Sequence, residues 1–146
     1  MDTKATSFEF RELTAKDSPA IIPLANKLHP EMDAATFGGY LAEMFKFPTY
    51  HCFGLHQKGK LVAVTNGWIT VRFYSGKQLE VDNVIVDPES RSQGVGKYFF
   101  ACIDQWARDH DCHTIELNTY VQNSKSHKFY FNEGYKILGF HFQKVL

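Results

Sequence analysis

The sequence predicts an α/β fold built on a mixed, mostly antiparallel central sheet of about seven strands flanked by about four helices. Two observations support this prediction. Paired segments of alternating apolar and polar residues, joined by tight turns, dominate the first half of the chain and are typical of antiparallel strands. The second half alternates strand-like with helix-like segments, which favours crossover connections within the same sheet.

The first half of the chain is expected to hold three strands and two helices. The strands are predicted at residues 8–13, 50–56 and 61–73, and the helices from Asp17-Ser18-Pro19 to about His29-Pro30 and from Asp33 to Phe45. A capping residue followed by an early proline is typical of a helix start, and Pro48 ends the second helical stretch. The segment 57–60, which contains Gly59, is predicted to be a turn between the last two strands.

The next strand, residues 79–86, changes its pattern halfway. Glu80 and Asp82 lie on one face of an alternating stretch, but from Val84 onward both faces are apolar. Asn83 falls on the face that was previously apolar. A break of this kind predicts a β-bulge near Asn83-Val84, and bulges expose backbone donors.

The remainder of the chain is predicted as helix, strand, helix and two final strands. A long helix begins near Val95, and its residues Phe99, Ile103 and Trp106 recur at helical spacing until about residues 108–111. We expect a strand at 114–121, a short helix at 123–132 that Gly134 stops, and strands at 135–138 and 140–145.

The length and amino-acid composition limit the classes of protein to which the chain can belong. Its 146 residues, of which 44% are hydrophobic, predict a single globular domain over residues 1–146. Sixteen Lys+Arg balance sixteen Asp+Glu, whereas a nucleic-acid binder is expected to carry a basic excess. Aromatic residues make up 15% of the chain, enough both to fill a core and to line a pocket.

The N-terminus and the cysteines predict a cytoplasmic protein. The first residues lack the apolar region of a secretory signal, and no segment approaches the roughly 18 apolar residues that span a bilayer. Cys52, Cys102 and Cys112 form no C-x-x-C pair, and their odd number favours reduced thiols. Four-ligand spacing is absent around Cys112-His113, so no metal is predicted.

The strongest functional pattern follows the strand at 79–86 and opens the long helix. It reads Arg91-Ser92-Gln93-Gly94-Val95-Gly96-Lys97. Gly94 and Gly96 let the backbone approach a ligand, and the amides around them converge at the positive end of the helix dipole. Such a turn suits a pyrophosphate. It is neither a P-loop nor a dinucleotide-binding fingerprint, because Phe99 stands where the latter needs a third glycine.

A second spaced pattern lies downstream and reads Asn123-x-x-Ser126-x-x-Phe129-Tyr130-x-x-x-Gly134-Tyr135. In this order, the two patterns resemble the GNAT superfamily of N-acetyltransferases, closely over residues 79–146 and by element order before that. The resemblance implies a GNAT-like fold with acetyl-CoA as cosubstrate. It also implies that the turn from Arg91 to Lys97 holds the pyrophosphate, that Asn123 contacts CoA, and that Tyr130 is the general acid.

Acetyl transfer to an amine needs further groups that the sequence offers. A backbone N–H near the predicted bulge, at Val84, Ile85 or Val86, would polarise the thioester carbonyl. Glu80 or Asp82 would accept the proton of the ammonium, directly or through water, since residues i and i+2 share a strand face about 7 Å apart. Both carboxylates match base positions of the resembling family, so the sequence leaves the choice between them open.

The acceptor is expected to be a primary amine of a small molecule that attacks acetyl-CoA directly in a ternary complex. The C-terminal part of the chain resembles a branch of the family that acetylates small amines. Residues 28–47 are expected to line the acceptor side, together with rings from 40–53, and His51 and Arg72 are candidates for an anionic amine. Acetylation of a protein or peptide and a non-catalytic CoA-binding domain are the alternatives. No nucleic-acid or membrane partner is expected, and a homodimer is left open.

Overall fold

The computed structural model describes residues 7–91 and 93–146. The described residues form five strands, β1 Phe8–Leu13, β2 Tyr50–Gln57, β3 Lys60–Arg72, β4 Gly76–Val86 and β5 Thr114–Leu117. They also form four α-helices, α1 Ser18–Asn26, α2 Ala34–Met44, α3 Val95–Asp109 and α4 Ser124–Asn132, and two 3-10 turns at Ala15–Asp17 and Pro88–Ser90. The chain divides into two compact units, one up to residue 116 and one from 117 to 146.

The sheet follows the order of the chain, β1-β2-β3-β4-β5. β1 to β4 are antiparallel neighbours, and the turn at Lys58-Gly59 closes the β2–β3 hairpin with both residues at positive φ. β5 returns to the sheet through α3, and the His113 amide donates to the Lys77 carbonyl at 2.8 Å. β5 therefore begins beside the start of β4.

Helices cover both faces of the sheet in the first unit. On one face, Ile21, Leu24 and Leu41 from α1 and α2 pack against Val64 and Ile85 of the sheet. On the other face, α3 packs its apolar stripe. The Phe99 ring lies 6.1 Å from Phe10 and the Trp106 ring lies 4.7 Å from Phe53, measured between ring centroids. β4 therefore lies between the two helical layers.

The predicted fold class is confirmed, and the helices lie where their sequence signals placed them. Asp33 caps α2 by accepting the Thr36 amide at 2.8 Å, and Gly94 occupies the N-cap of α3. Among the described residues, no helix is long and apolar enough to cross a membrane.

The strand count is a correction, because the described residues form five strands where about seven were expected. The predicted strands at 135–138 and 140–145 belong to no assigned ladder, and β5 ends at Leu117 instead of residue 121. Alternation indicates which residues share a face of a strand, but a strand also needs a neighbour that pairs with its N–H and C=O groups. The sequence pattern cannot supply that neighbour.

Candidate active site

The predicted bulge is present in β4. Val64 pairs with Ile85 and Asn66 pairs with Asp82, so that one residue of β3, Thr65, faces two residues of β4. Asn83 adopts a left-handed conformation with φ 51°, which asparagine tolerates better than most residues. The Thr65 hydroxyl donates to the Asp82 carbonyl at 2.8 Å and fixes the distortion. The bulge therefore turns β4 away from β3 immediately after Asp82.

Beyond the bulge, successive backbone amides of β4 point to opposite edges of the strand. The Asp87 amide donates to the Val62 carbonyl of β3 at 2.8 Å. Because amides alternate along a strand, the Ile85 amide also faces β3, while the Val86 amide points to the opposite edge of β4. β5 is only four residues long and begins beside Lys77, so it runs along the first part of β4. Val86 is therefore the best placed of the three predicted donors.

Beyond β4, residues 87–97, which we call the β4–α3 segment, lead into the long helix. Asp87 starts it as a nearly inaccessible carboxylate that binds Lys60 at 3.1 Å and Lys27 at 3.4 Å. The hydrogen bond from Lys60 is the largest effect that lowers the pKa of Asp87, followed by that from the Glu89 amide. The carboxylate thus fixes the segment where it leaves the sheet.

The end of the β4–α3 segment presents bare backbone. Gly94 has φ 73° and caps α3 without a side-chain hydrogen bond, and a Cβ built on it would meet no atom within 4 Å. Gly94 itself therefore offers no side chain to the first amides of α3, and amides without such a partner can bind an anion. Arg91, Gln93 and Lys97 are exposed around this turn, whereas Val95 is buried and Gly96 is half-buried. The predicted residue Ser92 lies outside the described residues.

The two candidate carboxylates differ in their surroundings. Glu80 is opposite Trp68 in the register and lies 3.7 Å from the Arg72 guanidinium. Asp82 is opposite Asn66. Although its side chain reaches solvent, desolvation by the surrounding protein raises the pKa of Asp82, against opposing effects of the Asn83 amide and His29. The structure thus distinguishes an ion-paired carboxylate from one with a raised proton affinity.

A cavity of about 180 Å³ lies between α1, α2 and the bulge, and we call it the α1–α2 cavity. Its wall comprises Ile21, Ala25, His29, Met32, Phe37, Tyr40, Leu41, Met44, Val64, Asn66, Asn83 and Ile85. Directly opposed residues of antiparallel strands share a face, so Asp82 lies on the same face as the wall residue Asn66. The cavity therefore ends at the bulge, with Asp82 at its rim.

Polar groups at the cavity are held by fixed partners. Asn26 donates through Nδ2 to the carbonyls of His29 and Met32 at 2.9 and 2.8 Å, which fixes the α1–α2 loop. His29 Nδ1 lies 3.1 Å from Glu31 Oε1. The Tyr50 hydroxyl donates to Asn66 Oδ1. The wall thus offers few polar atoms, in set orientations.

The second unit contains the other two predicted residues. Asn123 caps α4, since its Oδ1 accepts the Ser126 amide at 3.4 Å. The Tyr130 ring packs against Phe129 and Tyr135, at centroid distances of 5.6 and 5.7 Å. Burial raises the pKa of Tyr130, so its hydroxyl keeps its proton throughout the neutral range.

The predicted acceptor segment, residues 28–47, does line the α1–α2 cavity, but some singled-out residues do not. His51 lies on the other face of the sheet, where it binds Glu12 and contacts the Trp106 ring at 4.8 Å. Arg72 binds Glu80 near the far end of β3. Sequence reasoning missed Asn66 as a wall residue, because Asn66 stood within an ordinary strand pattern that carries no motif. His29 lies within the predicted segment.

Among the described residues, no group of three or more His, Cys, Asp or Glu side chains is arranged to hold a metal ion.

The GNAT-like combination of bulged strand, glycine turn and helix is matched by comparison with known families. The model of the acetyltransferase (GNAT) family matches residues 13–135, and the chain therefore belongs to this family. Membership of this family makes it an acetyltransferase, and a curated relative is named as an N-acetyltransferase. That relative is the aminoalkylphosphonate N-acetyltransferase of Salmonella typhimurium (strain LT2), 26% identical over 140 residues, which are 94% of this chain and 91% of the relative.

Solved structures show the same fold at low sequence identity. An aminoglycoside N-acetyltransferase in complex with CoA aligns over 100% of this chain and 99% of its own, with a TM-score of 0.85 and 15% identity. A ribosomal-protein-alanine N-acetyltransferase from Brucella melitensis biovar Abortus 2308 aligns over 96% and 100%, with a TM-score of 0.80 and 16% identity. These neighbours establish the fold.

Proposed function

We propose that the chain transfers the acetyl group of acetyl-CoA to the primary amine of a small molecule, by direct attack within a ternary complex. The α1–α2 cavity carries this proposal, because it ends at the β4 bulge beside Asp82. Its volume of about 180 Å³ suits part of a small molecule, since pockets for drug-sized ligands occupy about 300–1,000 Å³. A cavity of this size favours a small amine over an extended peptide.

The β4–α3 segment supports acetyl-CoA as the cosubstrate. An anion such as a pyrophosphate needs donors that are unpaired and close together, and the start of α3 offers amides without a capping side chain. Gly94 leaves open space where a side chain would obstruct the ligand. Arg91, Ser92, Gln93, Val95, Gly96 and Lys97 complete the proposed phosphate contacts. For Asn123 and Tyr130, contacts with the cosubstrate are proposed from the family resemblance alone.

In the proposed reaction the amine nitrogen bonds to the thioester carbon, the carbon–sulfur bond breaks, and the products are an amide and the CoA thiol. Asp82 takes the first proton, which the ammonium loses before it attacks, directly or through water, and Tyr130 gives a proton to the departing thiolate. The second proton, which the nitrogen loses on becoming an amide, restores the Tyr130 hydroxyl through water. The Val86 amide stabilises the negative charge on the carbonyl oxygen, as an oxyanion-hole donor does. Glu80 is the less favoured base, because its carboxylate lies in an ion pair with Arg72 at 3.7 Å.

The cysteines favour direct attack over an acetylated enzyme intermediate. Burial raises the pKa of Cys52 to about 12, and it also raises the pKa of Cys102 and Cys112. A thiolate is the reactive form of cysteine, so thiols with raised pKa values are poor nucleophiles at neutral pH. None of the three offers an activated acceptor for the acetyl group.

The test is a panel of acceptors with acetyl-CoA, in which thiol release and the acetylated product are both measured. The panel contains alkylamines, arylalkylamines, an aminoalkylphosphonate, an aminoglycoside and a peptide with a free N-terminus. We expect thiol release with at least one small amine and none with the peptide. Preference for the peptide would replace the proposal by protein acetylation, and CoA binding without turnover on any acceptor would indicate a non-catalytic CoA-binding domain.

A further inference from the structure

The residues that line the α1–α2 cavity narrow the chemical class of the acceptor further. Eight of its twelve wall residues are apolar, among them Phe37, Leu41 and Ile85. The other four are His29, Tyr40, Asn66 and Asn83. Among the described residues, no Lys, Arg, Asp or Glu belongs to this wall. The cavity therefore offers apolar surface over most of its area and a few neutral or weakly basic groups.

This wall does not suit a strongly charged acceptor. A buried phosphonate or carboxylate needs charged or multiple hydrogen-bond donors, because an unpaired anion costs several kcal/mol on leaving water. His29 is the one basic side chain of the wall, and its Nδ1 is already engaged by Glu31. A polycationic sugar would need several carboxylates or amide oxygens, and Asn66 Oδ1 is already engaged by Tyr50.

The volume of the cavity fits one compact apolar group. An apolar protein cavity of about 150 Å³ holds a benzene molecule, and this one measures about 180 Å³. A ring of that size, or an alkyl chain of about four to six carbons, would fill it. The bulge places Asp82 at the rim, where the amino group of such a molecule would lie.

We infer that the acceptor is a primary monoamine with a single apolar substituent, either one aromatic ring or a short alkyl chain, that occupies the α1–α2 cavity. The amino group lies at the rim beside Asp82, and the substituent contacts the apolar wall. This inference rests on the proposed function, since it names the substrate class of the same site.

The first experiment compares kcat/KM along a homologous series of n-alkylamines from ethylamine to octylamine. Each buried methylene improves binding by about four-fold, so kcat/KM rises by about that factor per carbon and stops rising once the cavity is full. Benzylamine or phenethylamine is expected to rank with the best alkylamines, and an aminoalkylphosphonate and an aminoglycoside are expected to rank at least ten-fold lower. A flat series, or preference for the phosphonate or the aminoglycoside, would overturn the inference while leaving amine acetylation intact.

The second experiment changes the cavity volume in both directions. Ala25→Leu adds side-chain atoms to the wall from α1, and Met44→Ala removes them from α2. We expect Ala25→Leu to shift the optimum toward shorter amines and Met44→Ala to shift it toward longer ones. Ala20→Leu is the matched control, because Ala20 is exposed on α1 and belongs to no wall of the cavity. It should keep the wild-type optimum.

The two experiments distinguish failure of the inferred acceptor class from failure of the proposed function. Binding of CoA, measured by thermal shift, reports whether each variant is folded independently of its acceptor preference. A folded Ala25→Leu and a folded Met44→Ala that both retain the wild-type chain-length optimum would show that the substituent lies elsewhere. Absence of acetylation of every amine by the wild type would instead overturn the proposed function itself.

Discussion

The two ends of the proposed site differ in the groups that they present to a ligand. The β4–α3 segment presents backbone, since Gly94 carries no side chain and the first amides of α3 have no side-chain cap. The α1–α2 cavity presents side chains that converge from two helices, a loop and two strands. Backbone donors recognise any molecule with the same phosphates, whereas a wall of side chains can change with each substitution. The first end thus suits a constant cosubstrate and the second a particular acceptor.

The bulge in β4 connects these two ends. Asp82 precedes it on the side of the cavity, and Val86 follows it at the edge where the amides turn away from β3. The proposed proton acceptor and the proposed amide donor therefore lie on one short stretch of strand. Substitutions on either side of the bulge should affect chemistry, while substitutions at the far ends should affect binding.

The largest effect is expected from Asp82→Asn. Loss of a general base lowers kcat by about 10² to 10⁴-fold, and an amide cannot replace it. The pKa of Asp82 is raised in the folded protein. On acidification, the kcat/KM of the wild type should therefore decrease at a higher pH than it would with an ordinary aspartate as the base. Glu80→Gln is the matched control and should retain most of the activity; the pH profile of kcat/KM for both variants is the measurement. Equal losses would remove the distinction between the two carboxylates.

The same substitution should not reduce stability. The pKa of Asp82 is raised in the folded state, so the folded protein binds more protons than the unfolded chain between the unfolded and folded pKa values. The free energy of unfolding therefore decreases as the pH rises through that window, and the ionised carboxylate is a net cost at neutral pH. Asp82→Asn should leave Tm at pH 7 unchanged or higher. A clear decrease in Tm would assign Asp82 a structural role.

Tyr130→Phe is expected to lower kcat by roughly 10²-fold. The ring contacts with Phe129 and Tyr135 are kept by phenylalanine, and the lost hydroxyl is the proposed proton donor. Tyr135→Phe serves as the control. The dissociation constant of CoA should stay near the wild-type value for both, measured by isothermal titration. Unchanged turnover in Tyr130→Phe would remove it as the acid.

Gly94→Ala should weaken CoA binding by about ten-fold. A residue with a Cβ costs about 1–2 kcal/mol in the left-handed conformation, and the variant must adopt that conformation to bind. Gly59→Ala is a close control, since Gly59 has φ 76° and equally open surroundings but lies in the β2–β3 turn. Only the first variant should lose affinity, because only there must binding restore the left-handed conformation. Equal CoA affinities would separate this turn from the phosphates.

The smallest effect is expected from Asp87→Asn, as a decrease of a few degrees in Tm at pH 7. Lys60 holds the pKa of Asp87 below its ordinary value in the folded state. Such a carboxylate stabilises the fold above the unfolded pKa, and this contribution is lost as the pH falls through the folded value. The difference in Tm between wild type and variant should therefore shrink in acid. A difference independent of pH would contradict this role for the ion pairs.

The same contrast explains what the sequence could predict. The glycine turn, the helix that follows it and the bulge at Asn83 are local features, because each depends on conformations that neighbouring residues impose. They were therefore predictable and are confirmed in position. The cavity wall joins residues as distant in sequence as Ile21 and Ile85, and no local pattern marks such a meeting.

Individual roles were harder to predict than segments. Residues 28–47 were predicted to line the acceptor side and contribute to the wall of the α1–α2 cavity, whereas His51 lies on the other face of the sheet. Its position could not be predicted, because alternation around Tyr50 does not indicate which face of β2 packs against which helix. The choice between Glu80 and Asp82 depends on Arg72, which comes close only through the β3–β4 pairing. The last two predicted strands failed for a related reason, since pairing partners are a tertiary property.

Direct transfer is tested by following enzyme and amine together by mass spectrometry after mixing with acetyl-CoA. We expect acetylated amine in proportion to released thiol, and we expect the mass of the enzyme to stay unchanged both with and without amine. An enzyme that becomes acetylated in the absence of amine and then passes the group on would contradict direct transfer in a ternary complex.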